Sequence, residues 1–348
     1  LVVADEAQQI KNPAAAQTRA IKALPARACV GLSGTPVENR LLDAWSLLDF
    51  ANPGLLGSSA QFQTEFATPV QVHRDASAAA RFQRVTAPFL MRRLKSDKSI
   101  ISDLPDKIEQ NQYCSLSPEQ VALYEAVLQE GLASLQGISD SFERQGLVLQ
   151  LITALKQVCN HPAQYLKSGP REPALSGKGE RLLELLDEAH AGGHKALVFT
   201  QFRQTGELLC EWLAQQQGQA PAFLHGGVRR AQRDAMVERF QTDRTERVLV
   251  LSLKAGGTGL NLTAASQVLH FDLWWNPAVE AQATDRAYRI GQNRAVQVHR
   301  LITRATFEER IDALMRDKRE LAELTVGSGE TWIGKLPEET LRELLALG

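Results

Sequence analysis

The feature that most constrains this chain is a regular alternation in its C-terminal half. Short apolar runs, rich in β-branched residues and leucine, occur at Ala196–Thr200, Ala222–Leu224, Arg247–Ser252, Val268–Phe271 and Val296–Ile302. Amphipathic stretches of helical length lie between most of them, among them Gln204–Gln217 and Arg229–Gln241. Strand–helix alternation of this kind predicts a parallel sheet covered by helices. Near-continuous apolar strands fit a sheet buried on both faces. The expected fold class is therefore α/β.

The N-terminal part adds strands at Leu1–Ala4 and Ala28–Ser33, separated by a helical stretch after Asn12-Pro13. Since Leu1 already reads as part of a buried strand, the sequence is expected to open inside a domain. From about 37 to 166 the pattern turns to long helical segments with one strand near Lys107–Cys114. This reads as a helical insertion followed by a return into the first sheet. Between Lys167 and Lys178, Ser-Gly-Pro-Arg-Glu-Pro and Ser-Gly-Lys-Gly interrupt the periodicity, as linkers do. The boundary is placed there, giving domains 1–168 and 169–348, and 348 residues suit two domains.

Composition excludes several classes. With 44% hydrophobic and 23% charged residues the chain is not compositionally disordered. No apolar run approaches the roughly 18 residues of a membrane span, and no signal segment opens the sequence. A net charge of −1 gives no bulk case for nucleic acid, although a local basic groove would suffice for phosphate contacts. The four cysteines form no CxxC pair, so neither disulfides nor zinc is expected, and Cys159 with His161 reads as structural.

Three segments carry chemistry. The first strand runs into Asp5-Glu6-Ala7-Gln8, and ligands of parallel sheets bind at such C-terminal strand edges. In nucleotide hydrolases one acid can hold Mg²⁺ through its water shell while the next orients the attacking water. The plainer reading is a solvated Asp-Glu at a strand end. The next strand ends in Leu32-Ser33-Gly34-Thr35-Pro36, which brings Ser33 and Thr35 to the same rim.

The second segment is the loop Leu253–Thr263, with Gly256, Gly257 and Gly259 after a clear strand. Such glycines admit close approach of backbone to a phosphate or ribose. It is not a Gly-x4-Gly-Lys-Ser/Thr loop, which occurs nowhere in the 348 residues. The third is Trp274-Trp275-Asn276-Pro277 leading into a helix over Ala278–Ile290. Asn276 suits the N-cap and Pro277 the first helical position. Val279, Ala283, Ala287 and Ile290 fall on one apolar stripe, with Gln282, Asp285, Arg286 and Arg289 on a neighbouring polar arc. Two guanidinium groups one turn apart can share an anion and suit the charge on a transferred phosphoryl group. A solvated Asp/Arg face is the alternative.

Taken in order, these segments resemble the Swi/Snf family of superfamily-two helicase-like ATPases. Residues 5–8 resemble its motif II, 32–36 with Glu38-Asn39 its motif III, 252–263 its motif V, and 282–292 its motif VI. Asp43–Phe50 with Asn52-Pro53-Gly54, Phe89–Lys95, Asn160-His161-Pro162, Val198–Phe202 and Leu224-His225-Gly226-Gly227 match further family segments. Motif I is absent, and Tyr288 stands where the family often has His. The Asp-Glu-Ala-Gln tetrad resembles bacterial members.

The resemblance implies two RecA-like lobes, the first incomplete, with a helical insertion, ATP between the lobes and double-stranded DNA across them. It implies ATP hydrolysis coupled to movement on DNA, with ATP and Mg²⁺ required. Asp5 would hold Mg²⁺, Glu6 would position water, and Arg286 and Arg289 would reach the phosphates. Thr35, Gly257, Gly259, Asn261 and Gln282 would bind ATP or couple its state to motion. Gln201, His225, Lys254 and Thr258 would contact the DNA backbone. A monomer in the bacterial cytoplasm at the nucleoid (the nucleus in a eukaryote) is expected, with DNA-bound proteins such as RNA polymerase as further partners. Without motif I, the 348 residues alone are expected to be inactive. A non-catalytic DNA-binding scaffold and an RNA-directed helicase remain the alternatives.

Overall fold

The computed structural model describes residues 1–33, 41–91, 95, 104–138, 140–252, 259–274, 276–321, 333 and 336–348. Its backbone groups into two compact units, Leu1–Ile101 with Arg316–Gly329, and Ser102–Met315 with Glu330–Gly348.

In the first unit β1 (Val2–Ala4) and β2 (Cys29–Gly31) pair in parallel, Val2 opposite Cys29, with α1 (Ala16–Lys22) between them in sequence. Beyond β2 come the helices α2 (Leu41–Ala51), α3 (Ser59–Phe62), α4 (Thr68–Gln71) and α5 (Ala76–Thr86). Asp75 caps α5 by accepting from the Ser77 and Ala78 N–H groups, satisfying donors that a helix start leaves orphaned. Phe62, Phe66 and Phe82 form a ring cluster with centroids 5.6–5.8 Å apart, closed by Trp45, Leu48 and Val70.

The second unit opens with β3 (Lys107–Cys114), then α6 (Pro118–Leu135), α7 (Ser141–Asn160), α8 (Pro162–Leu166) and α9 (Gly177–Ala191). Next come β4 (Lys195–Thr200), α10 (Arg203–Gln217), β5 (Ala222–Leu224), α11 (Arg230–Thr242), β6 (Val248–Ser252) and β7 (Ala265–His270). It closes with α12 (Pro277–Thr284), β8 (Val296–Thr303), α13 (Phe307–Leu321) as far as Met315, and α14 (Glu338–Leu345). All six strands are parallel, in the order β3-β8-β7-β4-β6-β5. Adjacent strand residues point to opposite faces. Leu301 accordingly packs with Leu186, Leu209 and Trp212 of α9 and α10, while Ile302 packs with α6, α7, α13 and α14. Helices thus cover both faces, which is why the strands read as continuous apolar runs. Among the described residues no helix is long and apolar enough to cross a membrane.

One expectation is corrected. Strand β3 does not return to the first sheet; all eight of its residues pair with β8, Lys107 opposite Val296 and Cys114 opposite Thr303. The adjoining α6–α7 hairpin dictates this choice of sheet. It buries Tyr124, Leu128, Leu151 and Leu155 with Leu273, Phe307 and Ile311, and only three residues separate β3 from α6. The stretch 167–178 runs exposed from Lys167 to Glu172 and packs into the second unit only at its end. Ser176 caps α9 through Gly179 N–H and donates to the Asn160 carbonyl, and Lys178 is fully buried. The contacts group the helices from 118 to 166 with the second sheet, dividing the chain near 101/102.

Candidate functional site

In the first unit, Asp5 comes directly after β1 at the C-terminal edge of the parallel pair, where its Oδ1 accepts from Glu6 N–H at 2.8 Å. Glu6 sits in the left-handed region (φ 50°, ψ 46°), a strained conformation for a residue with a Cβ. The strain turns the chain so that Ala7 N–H reaches the Leu32 carbonyl at 2.8 Å. Gln8 then bridges the two segments. Its Nε2 donates to Glu6 Oε2 at 2.5 Å, and its Oε1 accepts from Ser33 Oγ at 2.7 Å. Ser33 therefore does share a rim with the acids, while Thr35 lies outside the described residues. Sequence reasoning misses Gln8 as a site residue; its place two residues after the acid pair is the available signal.

Asp5 is exposed and offers hard oxygen donors. Among the described residues no cluster of three or more His, Cys, Asp or Glu could cage a metal. A single exposed carboxylate fits Mg²⁺, which keeps several waters and takes few protein ligands.

In the second unit, β4, β6 and β7 end side by side, Thr200 opposite Ser252 and Phe199 opposite His270. Such C-terminal strand edges are where open α/β sheets bind ligands. Gln201 leaves β4 here, and its Nε2 donates to the Leu273 carbonyl at 2.5 Å. Its N–H and the Thr200 hydroxyl both donate to the fully buried carboxylate of Asp272, at 2.7 and 2.5 Å, which also accepts from Asn160 Nδ2. Burial raises the Asp272 pKa, against the pull of those hydrogen bonds and of Lys178. His225, just after β5, accepts from Gly227 N–H at Nδ1 and packs on the Phe223 ring. Lys254, Gly257 and Thr258 lie outside the described residues.

The exit of the glycine loop and the arginine segment are brought together. Gly259 holds φ at +96°, open only to glycine without strain, and turns the chain toward Leu260 and the exposed Asn261. Arg289 Nη1 donates to the Leu260 carbonyl at 3.1 Å, and Leu262 N–H donates to the Arg286 carbonyl at 2.9 Å. Gln241 of α11 closes the other side, donating to Asn261 O and accepting from Ala264 N–H.

The expected helix over 278–290 is shorter than predicted. It does begin at Pro277, with Asn276 O accepting from Val279 N–H, but it ends at Thr284. The Arg286 carbonyl bonds to Leu262 instead of to a later turn, so Arg286 and Arg289 stand on irregular turns. Ala283 and Ala287 are buried as expected, Val279 is half-buried, and Ile290 is 76% exposed. Gln282 is half-buried, whereas Arg286 is buried. Cys159 is buried and its thiol pKa is pushed well up by burial; His161 Nδ1 accepts from Ala163 N–H, so both serve packing.

Comparison with known proteins matches residues 1–164 to the SNF2-related domain and residues 177–291 to the helicase conserved C-terminal domain. The family boundary thus lies near the break in periodicity, whereas the contacts divide the chain earlier. The Sulfolobus solfataricus SWI2/SNF2 ATPase core, solved in complex with double-stranded DNA, is 42% identical, with a TM-score of 0.64 over 99% of this chain and 72% of that one. The C-terminal domain of a Sulfolobus solfataricus SWI2/SNF2 ATPase, solved on its own, is 38% identical with a TM-score of 0.61, over 70% of this chain and all of that one. The Bacillus subtilis protein YwqA, whose name carries the words ATP-dependent helicase/translocase, is 44% identical over 99% of this chain. The chain spans 37% of that relative's length.

Proposed function

Because the chain belongs to the SWI2/SNF2 family of ATPases, we propose that it forms part of a motor that hydrolyses ATP and moves along double-stranded DNA. The observation that carries this reading is the hydrogen-bonded junction between the glycine-loop exit and the arginine segment, Arg289 to Leu260 and Leu262 to Arg286. A segment held this way keeps the Arg289 guanidinium fixed beside the glycine-loop exit. Fixed cations stabilise charge developing on a γ-phosphoryl group without reorganising at the moment of reaction. Glu6 would orient the attacking water, and Asp5 would hold Mg²⁺ through its water shell. Gln201 and His225 would meet the DNA backbone, contacts that need no sequence reading.

The 348 residues hold no Gly-x4-Gly-Lys-Ser/Thr loop, so the test uses the protein with its natural upstream sequence. Duplex DNA should stimulate its ATP hydrolysis and RNA should not. Glu6→Gln and Arg289→Ala should each lower kcat on the order of 10²-fold or more. DNA binding indifferent to both substitutions, with no hydrolysis by the parent protein, would instead make it a scaffold.

A further inference from the structure

Helix α12, which leads into the arginine segment, is anchored by a buried cation on the neighbouring strand. Arg300 of β8 is 14% exposed and lies among partners from three other elements. Its Nε and Nη2 both reach Glu280 Oε2 of α12 at 3.2 Å, and Nη2 reaches Asp312 Oδ1 of α13 at 2.7 Å. Its Nη1 donates to Asn111 Oδ1 of β3 at 3.1 Å, and Asn111 Nδ2 in turn donates to Asp312. The other oxygen of Glu280 accepts from Trp274 N–H at 3.1 Å, two residues before Asn276. One carboxylate therefore ties the approach to α12 and its first turn to a single guanidinium.

We propose that Arg300 is a positioning residue for the arginine segment, acting through Glu280 to set where α12 starts and hence where Arg286 and Arg289 stand. The arrangement requires a guanidinium. Three acceptors in different directions are met by one planar fork, which a lysine ammonium on a flexible stem cannot reproduce. A lysine there leaves Glu280, at 8% exposure, without its two-nitrogen contact, which favours its turning out toward water and releases Trp274 N–H. The role in turnover rests on the proposed ATPase function, whereas the anchoring does not.

The test is amide hydrogen exchange on the 348-residue chain, comparing Arg300→Lys and the milder Glu280→Gln with the parent. Exchange at Trp274 and across 279–292 should rise roughly tenfold, while β4 and β6 stay within about twofold, as local opening requires. Unchanged exchange in 274–292, or an equal rise throughout the second unit, would overturn the proposal. In the protein with its upstream sequence, kcat should fall about tenfold with KM for ATP within about threefold, the pattern of an interaction made in the transition state. Local exchange that rises without any loss of kcat also overturns it. A parent protein lacking ATPase activity sinks the functional reading alone, and the exchange result still decides the anchoring.

Discussion

Gln292 Nε2 lies 2.7 Å from the carbonyl oxygen of Ala265, the first residue of β7. The same amide reaches the Thr263 and Ala287 carbonyls at 3.1 Å. One buried side chain therefore fastens the end of the arginine segment to the chain entering the sheet. Replacing it with leucine, similar in size but without donors, leaves those carbonyls desolvated. The expected cost is about 1–3 kcal/mol. Urea denaturation of the 348-residue chain reads it, and a loss under about 0.5 kcal/mol would mean that water reaches these carbonyls.

Two glycines should respond in opposite directions. A Cβ on Gly177 would meet the Ser115 carbonyl oxygen at 1.9 Å, and backbone there cannot yield cheaply. Gly177→Ala should destabilise by roughly 1–3 kcal/mol. Gly146 lies within α7 with nothing within 4 Å of the same position. Gly146→Ala should stabilise by roughly 0.5–1 kcal/mol, because alanine restricts the unfolded chain and favours helix. Thermal melts that shift the same way for both would refute the packing of Ser115 against α9.

The strands of the second sheet are legible in sequence because burial on both faces writes an apolar run that local reading detects. Ala196–Thr200 and Val296–Ile302 differ from the observed β4 and β8 by one terminal residue each. Distant partners decide the rest. Strand β3 reads the same whichever sheet it joins; the hairpin behind it chooses. Arg286 carries no mark in sequence that its carbonyl will accept from Leu262, so a helix predicted to Ile290 overshoots by six residues. The Ser-Gly-Lys-Gly stretch resembles a linker because a lysine reads as solvated. Lys178 is instead buried against Glu308, 130 residues away. At the candidate site the acids and arginines are legible as residue types in order, whereas Gln8, Asp272 and Arg300 need the folded geometry.

The Lys178–Glu308 pair is 2.8 Å apart, with side chains 0% and 1% exposed. Glu308 Oε2 also accepts from Thr303 N–H, and Lys178 Nζ also donates to Asn160. Glu308→Gln strands a buried ammonium and should cost about 3–5 kcal/mol, while a double replacement by Lys178→Met and Glu308→Leu should recover much of it. Burial works to lower the Lys178 pKa, but Glu308 outweighs it and the pKa is raised above 10.5. A cation with a raised folded pKa stabilises fully below its unfolded value and is lost only as pH rises through the folded one. Urea midpoints for the pair's contribution should therefore be flat from about pH 7 to 10 and fall only beyond. A decline already at about pH 8 would show that Lys178 is not held charged.

His270 should make the second unit acid-sensitive from an unusually high pH. Its ring is fully buried, stacks on Phe199 with centroids 5.5 Å apart, and places Nε2 3.0 Å from the Thr284 hydroxyl of α12. Nδ1 is buried without a hydrogen-bond partner. Burial first, and then the nearby Arg300 guanidinium, lower its pKa from 6.5 to about 3. Between those values the unfolded chain binds a proton that the folded one refuses. Stability contributed by neutral His270 is thus complete above pH 6.5 and is lost as pH falls toward about 3, at up to about 1.4 kcal/mol per pH unit. Burial lowers His161, His190 and His299 as well, and they steepen the same slope. Asp272, whose pKa burial raises above 3.8, opposes it from that value upward. Only the difference between variants isolates one ring. His270→Asn keeps a group able to bond Thr284 but cannot titrate, so between about pH 6 and 4.5 its stability should fall less steeply than the parent's by close to one proton equivalent. Parallel slopes for the two proteins would mean that His270 protonates freely in the fold, and with it that α12 opens to water far more easily than its buried contacts allow.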